Sequence, residues 1–218
     1  MGISENIANI KKQIPSNIKL IAVSKTRTVS EIQEAYNTGV ILFGENKALE
    51  LAEKHKLLPY DIDWHFIGHL QTNKVKYIAP FINLIHSIDS IKILTEINKE
   101  AKSNKRIIDC LLEFYIASEE TKFGLELDDA RQILNSPEFR QMENIRIAGV
   151  MGMASFTDDM SIVRTEFKQL KKYFEVIKSE YFQNDDNFKE ISMGMTNDYL
   201  IAIEEGSTMI RIGTAIFS

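Results

Sequence analysis

Lys19-Leu20-Ile21-Ala22-Val23-Ser24-Lys25-Thr26-Arg27-Thr28-Val29-Ser30-Glu31 holds a strand, a turn and the start of a helix, and the turn decides the fold. Residues 18–23 are mostly apolar with β-branched members, the pattern of a strand buried on both faces. Thr28 and Glu31 place a hydroxyl three residues before a carboxylate, which marks a helix N-terminus. The joint between them, Ser24-Lys25-Thr26-Arg27, has no glycine. An open, doubly wound sheet usually turns its first strand through glycines and uses fewer strands than this chain offers. A (β/α)₈ barrel has no such requirement.

Working outward, strands are predicted at 18–24, 40–44, 64–68, 83–88, 107–116, 145–152, 188–193 and 209–213. Helical spacing lies between them, as in Ile32, Ala35 and Tyr36, or Phe167, Leu170, Phe174 and Ile177. Ser87-Ile88-Asp89-Ser90 supplies several candidate caps, Asp89 among them, for the helix through Leu94 and Ile97. A helix at 4–13 precedes the first strand and is placed to close the barrel's N-terminal end. Gln183-Asn184-Asp185-Asp186-Asn187 reads as a surface loop. No linker or composition shift divides the chain, so residues 1–218 are expected to form one TIM-barrel domain of the α/β class, with no second domain.

The gross numbers narrow the function. With 44% hydrophobic residues the chain can bury a sizeable core, and a net charge of −5 leaves no electrostatic footprint for nucleic acid. The single cysteine, Cys110, lies in an apolar run and reads as a small buried hydrophobe. The N-terminus lacks the basic and apolar segments of a secretory signal, and no apolar stretch approaches membrane-spanning length. The expectation is a cytoplasmic protein with no nucleic-acid or membrane partner.

In such a barrel, chemistry gathers at the C-terminal ends of the strands. The first ends in Lys25. A lysine held against apolar walls loses solvation, which frees its amine for imine chemistry; the plainer reading is a lysine that snorkels to water. The last two strands end in Ser192-Met193-Gly194-Met195-Thr196 and Arg211-Ile212-Gly213-Thr214. Loops after strands seven and eight commonly hold a phosphate, and small or hydroxyl residues let backbone N–H groups approach one. Ser192, Gly194, Thr196, Gly213 and Thr214 suit that role; ordinary turn glycines and cap threonines are the alternative. Arg211 interrupts the last apolar run, so it needs either an inward acid such as Glu113 or a ligand heteroatom. His65 alternates with Trp64 and Phe66 in a strand and reads as a hydrogen-bonded core residue. Neither it nor His69 has zinc-ligand spacing, and no metal site is expected.

Taken as a set, several segments resemble the pyridoxal 5′-phosphate homeostasis protein family (YggS/PROSC-like). They are Ala22-Val23-Ser24-Lys25-Thr26, Phe43-Gly44-Glu45-Asn46, Trp64 to Lys74, Thr121-Lys122-Phe123-Gly124, Ser192 to Asp198 and Arg211 to Phe217. The match runs in order over essentially the whole chain; Thr196 stands where the family usually has serine. The resemblance implies a fold-type III pyridoxal-phosphate (PLP) barrel, similar to the N-terminal domain of alanine racemase. It implies Lys25 as the Schiff-base lysine, Asn46 as a residue lining the cofactor, and Arg211 as the partner of the pyridine nitrogen. Ser192, Gly194, Gly213 and Thr214 become the phosphate pocket. The implied function is PLP homeostasis by a carrier or regulator without robust catalysis, with PLP-dependent apo-enzymes as candidate partners, and the chain is expected to be a monomer. Two alternatives remain: a weak alanine-racemase-like enzyme with His65 as its first candidate base, and a barrel that binds another phosphorylated metabolite without covalent chemistry.

Overall fold

A computed structural model describes residues 2–118 and 124–218. Eight parallel strands close into a barrel in sequence order: β1 (Lys19–Val23), β2 (Leu42–Glu45), β3 (Asp63–Phe66), β4 (Leu84–Ile88), β5 (Ile108–Phe114), β6 (Ile145–Gly152), β7 (Glu190–Ser192) and β8 (Met209–Ile212). Closure is made where β8 pairs with β1, with Ile21 opposite Arg211. The α/β barrel expected from the glycine-free first turn is the fold observed, and the strands differ from expectation only at their ends.

Each stave is largely buried on both faces because it meets helices outside and other strands inside. Helices α2 (Val29–Asn37), α5 (Ile91–Ser103) and α8 (Met160–Tyr181) bury stripes at three-to-four spacing, such as Ile93, Leu94, Ile97 and Ala101. Burying an isoleucine or leucine there contributes roughly 1.5–3 kcal/mol. A second, smaller cluster of Ile21, Leu84, Leu111, Ala148, Met151 and Met209 fills the space inside the staves. The α2 start is the reciprocal cap read from the sequence: Thr28 accepts from the Glu31 N–H, and Glu31 accepts from the Thr28 N–H. At α5 the cap residue is one of the candidates in Ser87–Ser90, and it is not Asp89. Ser90 is the cap residue, while the Asp89 carboxylate lies 3.3 Å from His69 Nδ1 and accepts from Ser90 Oγ.

The barrel needs one close backbone approach. At Gly149 on β6 a Cβ would lie 1.9 Å from the Glu190 carbonyl oxygen, and its φ of +154° suits only glycine. The first helix, α1 (Ile3–Gln13), also departs from expectation. It lies against α2 and against α10 (Thr214–Phe217), beside the β8–β1 seam, with Ile7 and Ile10 buried and Asn6 Nδ2 donating to the Ile216 carbonyl. The N-terminal end of the barrel is left with a cavity of about 400 Å³ lined by Lys19, Asp63, His65 and Glu190 among others.

Candidate functional site

At the opposite, C-terminal end lies a cavity of about 660 Å³, walled by the loops after β1, β2, β3, β6, β7 and β8. Lys25, Asn46, Thr196, Arg211, Gly213 and Thr214, all singled out from the sequence, line it together. Lys25 is exposed at its mouth rather than walled in by apolar groups, and makes no hydrogen bond or ion pair with any described residue. Asn46 presents the opposite situation, since its Oδ1 is buried and has no hydrogen-bond partner among the described residues. A buried acceptor without a donor is costly in a folded protein, so this atom points to a ligand group or a water.

Arg211 sits fully inside the barrel floor. Nη1 donates to Ser192 Oγ (2.6 Å) and Nη2 donates to the Gly152 carbonyl (3.1 Å). Its other N–H donors have no partner among the described residues. Burial lowers its pKa to about 10, so it stays cationic at neutral pH. The inward acid Glu113 does not bond to it but acts through space: burial and the Asp89 charge push the Glu113 carboxyl up to about 7, against the pull of Arg211.

Ser192 and Gly194 are not among the residues that line the cavity. The Ser192 side chain is fully buried, and its hydroxyl lies 3.0 Å from His86 Nδ1 as well as receiving Arg211. Gly194 is buried with φ +95°, and a Cβ there would meet Ala202 Cβ at 2.6 Å, so its glycine lets the loop pack on α9 (Tyr199–Glu204). In that loop Asp198 also lines the cavity, with Oδ1 accepting from the Met195 N–H (2.6 Å).

The polar chain continues beneath. His86 Nε2 lies 3.0 Å from His65 Nδ1, and His65 Nε2 lies 3.5 Å from Asp63 Oδ1 at the N-terminal end. Burial holds the His86 pKa well below the ordinary imidazole value, with help from His65 and Arg211, so it is neutral near pH 7. One assignment of hydrogens runs down the column as far as His65: Arg211 donates to Ser192, Ser192 to His86 and His86 to His65, while Asp63 Oδ1, 3.5 Å from His65 Nε2, accepts no hydrogen bond from any described residue. His65 therefore belongs to the axis and the far cavity. Its candidacy as a base at the C-terminal mouth is corrected, because it does not line that cavity.

Three groups in this architecture escaped the sequence reading. His86 was visible only as a polar residue in an otherwise apolar strand, and Asp198 only as the end of a matching segment. The third, Lys54 on α3 (Ala48–Leu57), looks like half of an ordinary surface pair with Glu50. Its side chain is in fact buried against Glu45. Among the described residues no His, Cys, Asp or Glu cluster could hold a metal ion, and no helix is long and apolar enough to cross a membrane. Thr121, Lys122 and Phe123 of the Thr121–Gly124 segment lie outside the described residues. Cys110 is buried as expected.

The sequence profile of the alanine racemase N-terminal domain matches residues 2–218. A pyridoxal phosphate homeostasis protein of Aquifex aeolicus is 37% identical over 200 residues, covering 91% of this chain and 86% of that one. Another from Pasteurella multocida is 36% identical and covers 100% of this chain and 97% of its own. The chain belongs to the pyridoxal phosphate homeostasis protein family. A solved structure of PipY from Synechococcus elongatus without PLP, 31% identical, superposes with a TM-score of 0.91 over 99% of this chain and 100% of that one. PipY with PLP bound superposes at 0.88. Alanine racemase of Clostridium difficile shares the fold alone, at 16% identity and a TM-score of 0.79, and this chain spans 59% of its length.

Proposed function

We propose that residues 1–218 form a PLP-binding domain that holds the cofactor in the C-terminal cavity, links it to Lys25 as a Schiff base, and serves intracellular PLP homeostasis as a carrier or regulator. The observation that carries the reading is the convergence in one cavity of three incomplete groups: the unengaged Lys25 amine, the unused donors of Arg211, and the buried, unpartnered Asn46 Oδ1. That donor set fits PLP, whose ring nitrogen is an acceptor, whose ring hydroxyl is a donor and whose aldehyde needs an amine. PipY, bound to PLP in one solved structure, supports it.

When bound, the cofactor supplies an aldehyde that condenses reversibly with an amine, releasing water. The chain's own residues supply the rest. Lys25 is exposed, so the link can form and be undone from solvent. Arg211, cationic and fixed by Ser192 and Gly152, donates to the ring nitrogen and cannot take a proton from it at neutral pH. Thr196, Gly213 and Thr214 offer hydroxyls and backbone N–H groups to the phosphate; those of Thr214 and Ala215 open α10 and have no acceptor within it. Among the described lining residues, Lys25 carries the one amine and Asp198 the one carboxylate, and Asp198 Oδ1 accepts from the Met195 N–H of its own loop. That lining favours holding over turnover, and PLP-dependent apo-enzymes are the natural recipients.

Titrating the purified protein with PLP tests the reading. A visible absorption band should appear with wild type and be absent with Lys25→Ala. Racemisation or elimination of free amino acids at about 1 per second or above, within the ordinary enzyme range, would overturn the carrier reading.

A further inference from the structure

The turn that carries Lys25 is held in an unusual shape. The Arg27 N–H donates to the Ser24 carbonyl (3.0 Å), closing a four-residue turn with Lys25 and Thr26 at its centre. Thr26 has φ +65°. Glycine or asparagine normally occupies such a position, and a β-branched residue there is strained. Something outside the turn must hold it.

A buried cluster behind the turn does so. The Thr26 N–H donates to Glu50 Oε1 (2.9 Å). Lys54 Nζ donates to that same Glu50 oxygen (2.7 Å), to Glu45 Oε1 (2.7 Å) and to the Ser24 carbonyl (2.8 Å). Ser24 Oγ donates to Glu45 Oε1 (2.6 Å). All three donors of the Lys54 ammonium are thus engaged, and each of the three acceptors belongs to or directly holds the Lys25 turn. Lys54 and Glu45 are buried, and neither lines the cavity. Burying an ion pair is poor economy for stability alone, and specifying one local geometry is the better-attested use.

We propose that Glu45, Glu50 and Lys54 are positioning residues, which keep the Ser24–Arg27 turn in its left-handed shape so that the Lys25 amine is presented to the C-terminal cavity. This rests on the reading of Lys25 as the amine that captures PLP. The cluster acts on the presentation of that amine and leaves recognition of the ring and phosphate to the other walls. It also separates the roles of two nearby lysines, since Lys54 is locked by three acceptors while Lys25 has none among the described residues.

The test compares two ligands that share ring and phosphate: PLP, and pyridoxine 5′-phosphate, which has an alcohol where PLP has its aldehyde. Covalent capture of PLP is followed by absorbance and borohydride trapping, and pyridoxine 5′-phosphate binding by calorimetry. Glu50 is partly exposed, so Glu50→Ala should fold. It is expected to slow PLP capture by about tenfold, the order of effect of one lost charge-assisted hydrogen bond, and to leave pyridoxine 5′-phosphate affinity within about twofold. Adding Thr26→Gly should restore capture, because glycine takes φ +65° without strain. Lys54→Met combined with Glu45→Gln, which removes the ion pair as a unit, should give the same split between ligands. Unchanged capture in Glu50→Ala, or equal losses for both ligands without rescue by Thr26→Gly, would overturn the positioning role. Failure of wild type to capture PLP at all would instead overturn the reading of Lys25.

Discussion

The sharpest pH prediction concerns Glu113, an acid on β5 that lies inside the barrel and is 5% exposed. Burial, reinforced by the Asp89 charge, raises its pKa from an ordinary 4.5 to about 7 even with Arg211 drawing it down. A carboxyl that holds its proton more tightly when folded stabilises the fold most below its unfolded pKa. That contribution is lost as pH rises through about 7. At 1.36 kcal/mol per decade of proton affinity, ionised Glu113 costs the folded state roughly 3 kcal/mol, most of it appearing between pH 5 and 8. Glu113→Gln keeps the shape of the protonated acid and cannot ionise. Thermal unfolding of both proteins across that range should show wild type falling behind the variant as pH rises. The full gap corresponds to about 6–12 °C at pH 8 for a chain of this size. Melting curves that stay parallel from pH 5 to 8 would refute the placement of an unpaired acid beside Arg211.

Three further outcomes follow from the site. Ser192→Ala should lower stability by about 2–4 kcal/mol, because it strands Arg211 Nη1 and His86 Nδ1 inside the barrel. Calorimetry should find PLP affinity reduced as well; a variant that melts and binds like wild type would break the column. Pyridoxal without its phosphate should bind on the order of 10²-fold more weakly than PLP, given charge-assisted hydrogen bonds to the phosphate and about 1.4 kcal/mol per decade; equal affinities would remove Thr196, Gly213 and Thr214 from that role. Lys25→Ala should melt within about 0.5 kcal/mol of wild type, since the side chain is exposed and touches no described partner.

The barrel was legible because each strand and helix repeats the same local signals, and the turn at Ser24–Arg27 excluded the competing sheet. The cavity was legible in part because strand ends converge in such a barrel, bringing Lys25, Asn46, Arg211 and Gly213 together from distant positions. What lay hidden is three-dimensional pairing. Ser192 carries a hydroxyl suited to a phosphate, yet the inward pleat of β7 points it at Arg211 and His86. Lys54 and Glu50 have the spacing of a solvated helix pair, and only the packing of α3 behind β1 and β2 turns the lysine inward. His65 and His86, 21 residues apart, meet because neighbouring strands pair. The first helix carried an amphipathic pattern but no address, and it went to the β8–β1 seam rather than to the barrel's end.

The central claim is that Lys25 is the amine that takes up PLP. Borohydride reduction of the PLP-loaded protein, followed by digestion and mass spectrometry, reads the attachment point directly. A phosphopyridoxyl group on the peptide containing Lys25, and on no other lysine, is the predicted result. A stoichiometric adduct on Lys54 or Lys74, or none at all, would contradict it.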